Sequence, residues 1–210
     1  DNIKIIRSKS ETLYLGIDLK KFDLYKPAKK INKTPIILWN HRWEHDKNPN
    51  DFIELIDMLD KDNLDFKCIL LGKNKQKKSG YYDEFVSRFS HRILHAGYCE
   101  TFEEYASFLW QADICPVTSI QDFFGISIAE SVYCNTYPLL PDRLTYPEIY
   151  DKKKNHNLFY KNKVDLIDKI KKICNDGNLQ TDNSLKDLIK VFDWSYMINE
   201  YDELFENIIK

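Results

Sequence analysis

Short apolar runs alternate with longer amphipathic segments along most of the chain, and turn residues separate the two kinds of segment. The apolar runs predict five strands, at residues 35–40, 66–72, 92–96, 113–117 and 137–140. The amphipathic segments between them predict helices at 49–61, 81–89, 101–111 and 124–135. The C-terminal part continues with predicted helices at 163–176, 183–191 and 194–209.

This alternation predicts an α/β protein, a Rossmann-like three-layer α/β/α sandwich built on a parallel sheet. Each helix joins two strands as a βαβ unit, and because such crossovers are right-handed, helices cover both faces of the sheet. Ligands of these folds bind beyond the carboxyl ends of the strands. We therefore expect binding residues in the loops that follow Asn40, Gly72, Ala96 and Val117.

Composition narrows the range of partners. The 210 residues are 43% hydrophobic and 14% aromatic, which suits one globular domain, and the formal net charge is −2. A chain so close to neutral has no overall field that would attract nucleic acid or an anionic membrane. The longest apolar runs are far shorter than the roughly 20 residues that cross a bilayer, and we expect neither a membrane span nor a signal peptide. The sequence predicts a cytoplasmic protein without a membrane partner.

The cysteines and histidines predict neither disulfides nor a metal site. The five cysteines are scattered and form no CxxC pair, a pattern typical of reduced thiols in a cytoplasmic protein. Histidines occur in two pairs with a spacing of four residues, His41 with His45 and His91 with His95. Neither pair has a credible third ligand, so we expect no bound metal.

The first candidate site is the loop after the first predicted strand, WNHRWEHDKNP, which contains Arg42 and Lys47. A forked guanidinium and a mobile ammonium at the mouth of a parallel sheet suit a diphosphate, because each charge-assisted hydrogen bond contributes about 1.5–3 kcal/mol. The alternative is an ordinary solvated loop that contains basic residues. The pair alone does not decide between these interpretations.

The second candidate site is the segment QDFFGISIAESVYCNTYPLLP, residues 121–141, in which Asp122 and Glu130 flank the start of a predicted helix. At that start, Phe124, Gly125 and Ile126 can bring backbone N–H groups and the positive end of the helix dipole close to a phosphate.

The two carboxylates of this segment suit sugar hydroxyls better than phosphates. Glu130 lies about one and a half turns into the predicted helix and can accept hydrogen bonds from the vicinal hydroxyls of a ribose. Asp122, in the loop before the helix, would hold hydroxyls further along the same ligand. The alternative is an exposed glutamate and an aspartate that stabilises the helix dipole. Together with Arg42 and Lys47, the two acids indicate a slot for a sugar nucleotide.

The order of these motifs resembles the nucleotide-binding C-terminal domain of GT-B retaining glycosyltransferases of the family four class. The landmarks that carry the resemblance are Arg42-x4-Lys47, LLG (70–72), HAGY (95–98), ADICPVTS and Asp122-x7-Glu130. The resemblance implies that Arg42 and Lys47 bind the donor diphosphate and that Glu130 binds the ribose. It also implies a catalytic role for Asp122, which would contact the donor hexose. Asp122 is one methylene shorter than the glutamate of the family. Tyr98, after a strand end, is expected near the base.

Longer matches are similar to one branch of that class, the tRNA-queuosine α-mannosyltransferases. They are LWNHRWEHDKNP, FFGISIAESVYCNTYPLLP and LTYPEIY, and the similarity covers residues 15–204. This resemblance implies GDP-mannose as the donor, queuosine in tRNA as the acceptor, and no metal cofactor. Two alternatives stay open: a different donor, such as UDP-glucose, with a saccharide acceptor, and a non-catalytic module that binds nucleotide sugars.

The ends of the chain resemble the parts of a GT-B enzyme that join its two domains. Residues 1–30, with LYLGIDLKKF, are expected to form the interdomain connector, residues 31–192 the donor-binding domain and residues 193–210 the closing helix. The acceptor-binding N-terminal domain is then absent from this chain. We expect the chain alone to bind donor and to transfer little, and its closing helix to expose apolar residues such as Phe205.

Three other enzyme classes fit the sequence poorly: hydrolases, dinucleotide oxidoreductases and P-loop enzymes. GISIA (125–129) has the form of a nucleophile elbow with Ser127, but the predicted strand before it ends some nine residues too early. No GxGxxG follows the first strand and there is no P-loop, which argues against a dinucleotide oxidoreductase and a P-loop enzyme.

Overall fold

In the computed structural model, which describes residues 2–28, 32–72, 80–176 and 183–209, six parallel strands form one sheet. The strands are β1 Ile36–Asn40, β2 Lys67–Leu71, β3 Ile93–Gly97, β4 Ile114–Pro116, β5 Tyr137–Pro141 and β6 Phe159–Tyr160. Their spatial order is β3-β2-β1-β4-β5-β6. The order reverses at β1, which lies between β2 and β4, and this reversal is where ligands bind in doubly wound sheets.

Helices and short 3₁₀ turns complete the described structure. The α-helices are α1 Asn2–Ser8, α2 Pro49–Lys61, α3 Gly80–Arg88, α4 Phe102–Gln111, α5 Ile126–Tyr133, α6 Tyr146–Ile149, α7 Lys163–Asp176, α8 Asn183–Lys190 and α9 Trp194–Ile209. The 3₁₀ turns are Lys20–Tyr25, His45–Lys47 and His156–Leu158. None of the described helices combines the length and apolar character needed to cross a membrane.

The predicted α/β sandwich with a parallel sheet is confirmed. Successive residues of β1 show how the layers form, because Leu38 belongs to one apolar cluster whereas Ile37 and Trp39 belong to the other. The first cluster takes in residues of α4, α5 and α8, and the second takes in residues of α2, α3 and α7. The sheet is therefore buried on both faces.

The predicted helix at 124–135 needs a correction, because α5 begins at Ile126 and ends at Tyr133. Gly125 has a φ of +81°, in the left-handed region, so the residues before Ile126 cannot continue the helix backward. Asn135 also has a positive φ, 65°, and so lies outside the helix at the other end. The prediction also omitted β6, α1 and α6.

The expected connector and the expected closing helix are joined at Asp193. Its Oδ2 accepts hydrogen bonds from the backbone N–H groups of Leu19 at 2.8 Å and Lys20 at 3.0 Å, while its Oδ1 accepts from Ser195 N at 2.9 Å. Ile17 forms an isolated parallel bridge with Asp193. The carboxylate thus caps the start of α9 and fixes the chain before the first strand to it.

The expected closing helix exposes an apolar side chain near its end, because Phe205 of α9 is 55% exposed.

Candidate functional site

Two loops meet at the carboxyl edge of the sheet, one following β1 and one following β4. The backbone N–H of Ile120 donates to the carbonyl oxygen of Asp46 at 2.8 Å, and the hydroxyl of Thr118 donates to the carbonyl oxygen of Lys47 at 2.8 Å. Because β1 and β4 are neighbours at the reversal of the sheet, these loops flank the crevice of a doubly wound fold. Both predicted sites lie on these loops and on α5.

A cavity of about 370 Å³ opens at the carboxyl ends of β1, β2 and β3. Its size lies within the range of small-molecule pockets. It is lined by Glu130, which was predicted to bind the ribose, and by Tyr98, which was predicted to lie near the base. These two residues are 32 positions apart in the sequence. Its lining residues are Asn40, Leu71, Gly72, Tyr98, Cys99, Glu100, Thr101, Phe102, Tyr105 and Glu130.

Glu130 is held in this cavity by a short hydrogen-bond chain. The hydroxyl of Tyr105 donates to Glu130 Oε2 at 2.7 Å, and Asn40 Nδ2 lies 2.9 Å from that hydroxyl. Asn40 Nδ2 also lies 2.8 Å from the carbonyl oxygen of Ser127 and 3.1 Å from Ser131 Oγ, so α5 is fixed to the end of β1. Glu130 therefore has a defined position and oxygens that can accept from ligand hydroxyls.

The surroundings of Glu130 alter its protonation. Burial raises the pKa of the Glu130 carboxyl, and the hydrogen bond from Tyr105 partly offsets this by stabilising the carboxylate. Burial also raises the pKa of Tyr105 well above its usual range, with the neighbouring Glu130 as the next cause. Tyr105 therefore stays a hydrogen-bond donor across the neutral range.

Arg42 and Lys47 lie close together, as the diphosphate hypothesis requires. Both approach the same oxygen, Asp46 Oδ2, at 3.6 Å from Arg42 and 3.2 Å from Lys47. Arg42 also pairs with Glu44 at 3.1 Å, and its side chain is 51% exposed. Both cations thus already have carboxylate partners, so an incoming diphosphate would compete with Asp46 and Glu44.

Asp122 joins the cation loop to the start of α5. Its Oδ2 lies 3.1 Å from Lys47 Nζ and accepts from the hydroxyl of Tyr146 at 3.1 Å, while its Oδ1 accepts from Gly125 N at 3.0 Å. The last contact matches the alternative interpretation, an aspartate that stabilises a helix N-terminus. The pair with Lys47 adds a second role, because it places the acid next to the predicted phosphate-binding cation.

The first residues of the predicted phosphate-binding turn differ in what they contribute. The ring of Phe124 packs against Tyr14 and Phe192, with centroids 6.1 Å and 5.0 Å away, so its partly buried side chain packs against the core. Gly125 adopts a conformation that brings its backbone close to Tyr146, because a Cβ here would lie 2.9 Å from Tyr146 Cε1. Ile126 opens α5 and is 40% exposed.

The structure thus places the predicted residues in two adjoining groups. Tyr98 and Glu130 line the cavity, whereas Arg42, Lys47, Asp122 and Gly125 belong to the neighbouring loop cluster. Among the described residues, the cavity lining does not include the two cations. The backbone after β1 connects the two groups, because β1 ends at Asn40, which lines the cavity, and Arg42 follows two residues later.

Ser127 does not form a nucleophile elbow. It lies in the first turn of α5, whereas β4 ends at Pro116, so the sharp turn from strand to helix that the motif needs is not formed at this serine.

Sequence reasoning considered His41 only as a metal ligand and missed its burial: the side chain is 5% exposed and has no hydrogen-bond partner at Nε2 among the described residues. Burial, followed by the charge of Lys47, lowers the pKa of His41 to about 4. The ring is therefore neutral at physiological pH. Sequence reasoning also missed Asn40 and Tyr105, although the polar residue that ends the apolar run PIILWN is a signal for Asn40.

Comparisons with known proteins identify the family of the chain. A family model described as "Glycosyl transferases group 1" matches residues 21–189. The tRNA-queuosine alpha-mannosyltransferase of Drosophila melanogaster is 31% identical over 159 residues, which are 72% of this chain and 42% of that protein. The chain therefore spans less than half the length of this curated relative.

Two solved structures share the fold at low identity. The C-terminal domain of a glycosyl transferase group 1 family protein from Francisella tularensis has a TM-score of 0.61 and 20% identity, over 85% of this chain and 94% of that one. The Anabaena protein HepE, solved in complex with UDP, has a TM-score of 0.69 and 14% identity, over 94% of this chain and 57% of that one.

The sheet order, the crevice at its reversal and these similarities define the C-terminal domain of a GT-B glycosyltransferase. More specifically, the chain belongs to the family of glycosyl transferases group 1, whose model matches it over most of its length.

Proposed function

We propose that this chain is the donor-binding part of a retaining hexosyltransferase that uses GDP-mannose and glycosylates queuosine in tRNA. One observation carries the proposal. Glu130 and Tyr98 share a cavity that adjoins the cluster of Arg42, Lys47 and Asp122. A nucleoside and a diphosphate sugar need such adjoining compartments. The relative from Drosophila, a tRNA-queuosine alpha-mannosyltransferase by name, supports the choice of sugar and acceptor.

In the proposed complex, the ribose hydroxyls donate to Glu130 and the base lies beside Tyr98. The diphosphate replaces carboxylate contacts of Arg42 and Lys47, and the hexose extends toward Asp122. When the bond between the anomeric carbon and the diphosphate oxygen breaks, negative charge grows on the diphosphate, and the two cations stabilise it. This mode of binding uses side-chain cations and no metal ion on the phosphates.

The cavity lining favours guanine as the base. Glu100 is exposed and lines the cavity next to Tyr98. Guanine presents two neighbouring N–H donors, at N1 and N2, to which one carboxylate can bind in a forked arrangement, whereas uracil presents a single N–H donor. The proposal therefore assigns Glu100 the recognition of the guanine edge.

Calorimetric titration of the chain with GDP-mannose, UDP-glucose and ADP-glucose, in the presence of a chelator, tests the donor. We expect GDP-mannose to bind most tightly, and Glu100→Gln to reduce that preference. Glu103→Gln is the matched control, because Glu103 is an exposed carboxylate in the first turn of α4 outside the cavity lining. Tighter binding of UDP-glucose would favour the alternative donor, and binding of none of the three would contradict a donor site.

An assay of mannose transfer tests the identity of the acceptor. Labelled mannose should pass from GDP-mannose to queuosine-containing tRNA, and not to tRNA that lacks queuosine, when the longest natural form of the protein that includes this chain is assayed. Donor binding without transfer by that form would indicate the non-catalytic module. Transfer to a saccharide and not to tRNA would contradict the proposed acceptor.

A further inference from the structure

A cluster of three potential metal ligands lies beside the cavity, at the junction of β3 and α4. It consists of His95 from β3, Cys99 from the following loop and Glu104 from the first turn of α4. One potential ligand atom of each residue lies within 4.8 Å of those of the other two. Cys99 is only 8% exposed, and the other two side chains are half-buried.

Hydrogen bonds and ring packing orient the Glu104 and His95 side chains. Thr101 caps α4, since its hydroxyl accepts from Glu104 N at 3.1 Å, and the Glu104 carboxylate accepts from Glu100 N at 3.1 Å. The ring of His95 packs against Phe108, with centroids 4.3 Å apart and the ring planes tilted by 37°, and its Nε2 lies 3.4 Å from the carbonyl oxygen of Gly97. Such outer contacts orient metal ligands in known sites.

The three ligand types match one class of cation. Imidazole, thiolate and carboxylate together suit Zn²⁺, whereas Mg²⁺ and Ca²⁺ prefer oxygen ligands alone. Ligand atoms around tetrahedral zinc lie about 3.5 Å apart, so the cluster would need to contract by about 1 Å. Glu104 can supply this movement, because its side chain has three rotatable bonds and is not fully buried.

We propose that His95, Cys99 and Glu104 bind one Zn²⁺ ion, with a fourth position open to water. On binding, the S–H bond of Cys99 breaks, a zinc–sulfur bond forms and the proton passes to solvent. Burial raises the pKa of the Cys99 thiol to about 11, so this proton is present at neutral pH before the ion binds.

The site would tie the base side of the cavity to the sheet. Cys99 and its neighbours Tyr98, Glu100 and Thr101 all line the cavity, so a cation that links β3 to α4 would fix the loop that carries them. The proposal does not depend on the donor or the acceptor, because it rests on the three ligands alone.

Metal titration of the chelator-treated 210-residue chain tests the site. We expect one equivalent of Zn²⁺ by calorimetry, and at least tenfold weaker binding in Cys99→Ser and in Glu104→Gln. The controls Cys174→Ser and His91→Gln should bind as the parent does, because Cys174 and His91 lie outside the cluster.

Cobalt gives a second measurement that does not require the Cys99 variants to fold. Co²⁺ added to the parent and to Cys174→Ser should produce a sulfur-to-cobalt charge-transfer absorption band, which excess Zn²⁺ removes. Absence of one-to-one zinc binding, absence of the band in both proteins, or undiminished zinc binding by a folded Cys99→Ser protein would overturn the proposal.

Discussion

The ammonium group of Lys47 lies 3.1 Å from Oδ2 of Asp122, so one ion pair joins the loop after β1 to the loop that precedes α5. Both side chains are largely buried, at 12% and 15% exposure. The sequence assigned the two residues to different parts of one donor, the diphosphate and the hexose. Their contact indicates that these parts would bind next to each other.

Replacing either cation by alanine should weaken the binding of a nucleoside diphosphate by about 1.5–3 kcal/mol, because a charge-assisted contact is lost. The melting temperature should separate the two variants. Arg42→Ala should leave it unchanged, because the side chain is half-exposed, whereas Lys47→Ala should lower it by leaving Asp122 without its ammonium partner. Lys61→Ala, an exposed lysine on α2, is the control for both measurements. If both variants bind GDP as tightly as the parent, the diphosphate site lies elsewhere.

Glu130→Gln should weaken the binding of GDP more than the binding of inorganic pyrophosphate, because only the nucleotide contacts Glu130 through its ribose. Tyr105→Phe should have a smaller effect in the same direction, since it removes the donor that positions the carboxylate. Calorimetry with both ligands measures the difference. Tighter GDP binding by Glu130→Gln would place a phosphate, not a ribose, at this position.

The raised pKa of Glu130 gives that contact a pH dependence. A ribose bound to the carboxylate should be released as pH falls, and this should occur above the value of about 4.3 at which an ordinary glutamate titrates. Tyr105→Phe should move the midpoint to still higher pH, because the hydrogen bond from Tyr105 lowers the pKa. GDP affinity measured against pH should show this step in the parent and lose it in Glu130→Gln. The same step in both proteins would assign it to the ligand.

His41 should make folding stability depend on pH. Its pKa is about 4 in the folded chain and 6.5 in a free histidine, so between these values only the unfolded state gains a proton. Stability should fall as pH decreases through this window, by about 1.4 kcal/mol per pH unit and about 3 kcal/mol in total, and this contribution should level off below pH 4. Denaturant unfolding at a series of pH values measures this loss of stability.

Two histidine variants separate the contribution of His41 from those of other groups. His41→Gln should remove the loss of stability between pH 6.5 and 4, whereas His45→Gln, which replaces an exposed histidine in the same loop, should retain it. Equal slopes in all three proteins would show that His41 titrates normally.

Gly125→Ala should destabilise the fold by about 1–2 kcal/mol, because a left-handed φ is unfavourable for any residue with a Cβ. The new methyl group would also press on Tyr146. Gly80→Ala is the matched control, because a Cβ there would meet no atom of the described residues within 4 Å and Gly80 is the first residue of α3, so this variant should not lose stability. Thermal melts of the two variants compare them. An unchanged melting temperature in Gly125→Ala would show that the turn relaxes.

The sequence predicts most of this fold because the periodic pattern of apolar residues matches the side chains that are buried in the folded chain. The β1 run IILW is apolar at every position and buried on both faces, and α2 and α7 have the predicted bounds. The pattern fails where structure depends on tertiary contacts. Strand β6 has two residues, too few to show a period, and the start of α5 depends on the backbone conformation of Gly125.

The sequence predicted which residues belong to the site, but it did not predict their positions relative to one another. Sequence reasoning selected Glu130 and Tyr98, yet their meeting in one cavity depends on how α5 packs against the end of β1. Tyr105 escaped notice because it resembles an ordinary aromatic on the buried face of α4. The lowered pKa of His41 could not be predicted, because burial in the folded chain causes it and the sequence pattern does not show that burial.

The position of bound GDP in a crystal of this chain would show whether the cavity and the neighbouring cations form one donor site. We expect electron density for the nucleoside in the cavity between Tyr98 and Glu130, with the ribose hydroxyls within hydrogen-bond distance of Glu130 and the diphosphate beside Arg42 and Lys47. GDP bound elsewhere, or a cavity that stays empty at saturating GDP in a crystal whose packing leaves it open, would contradict this expectation.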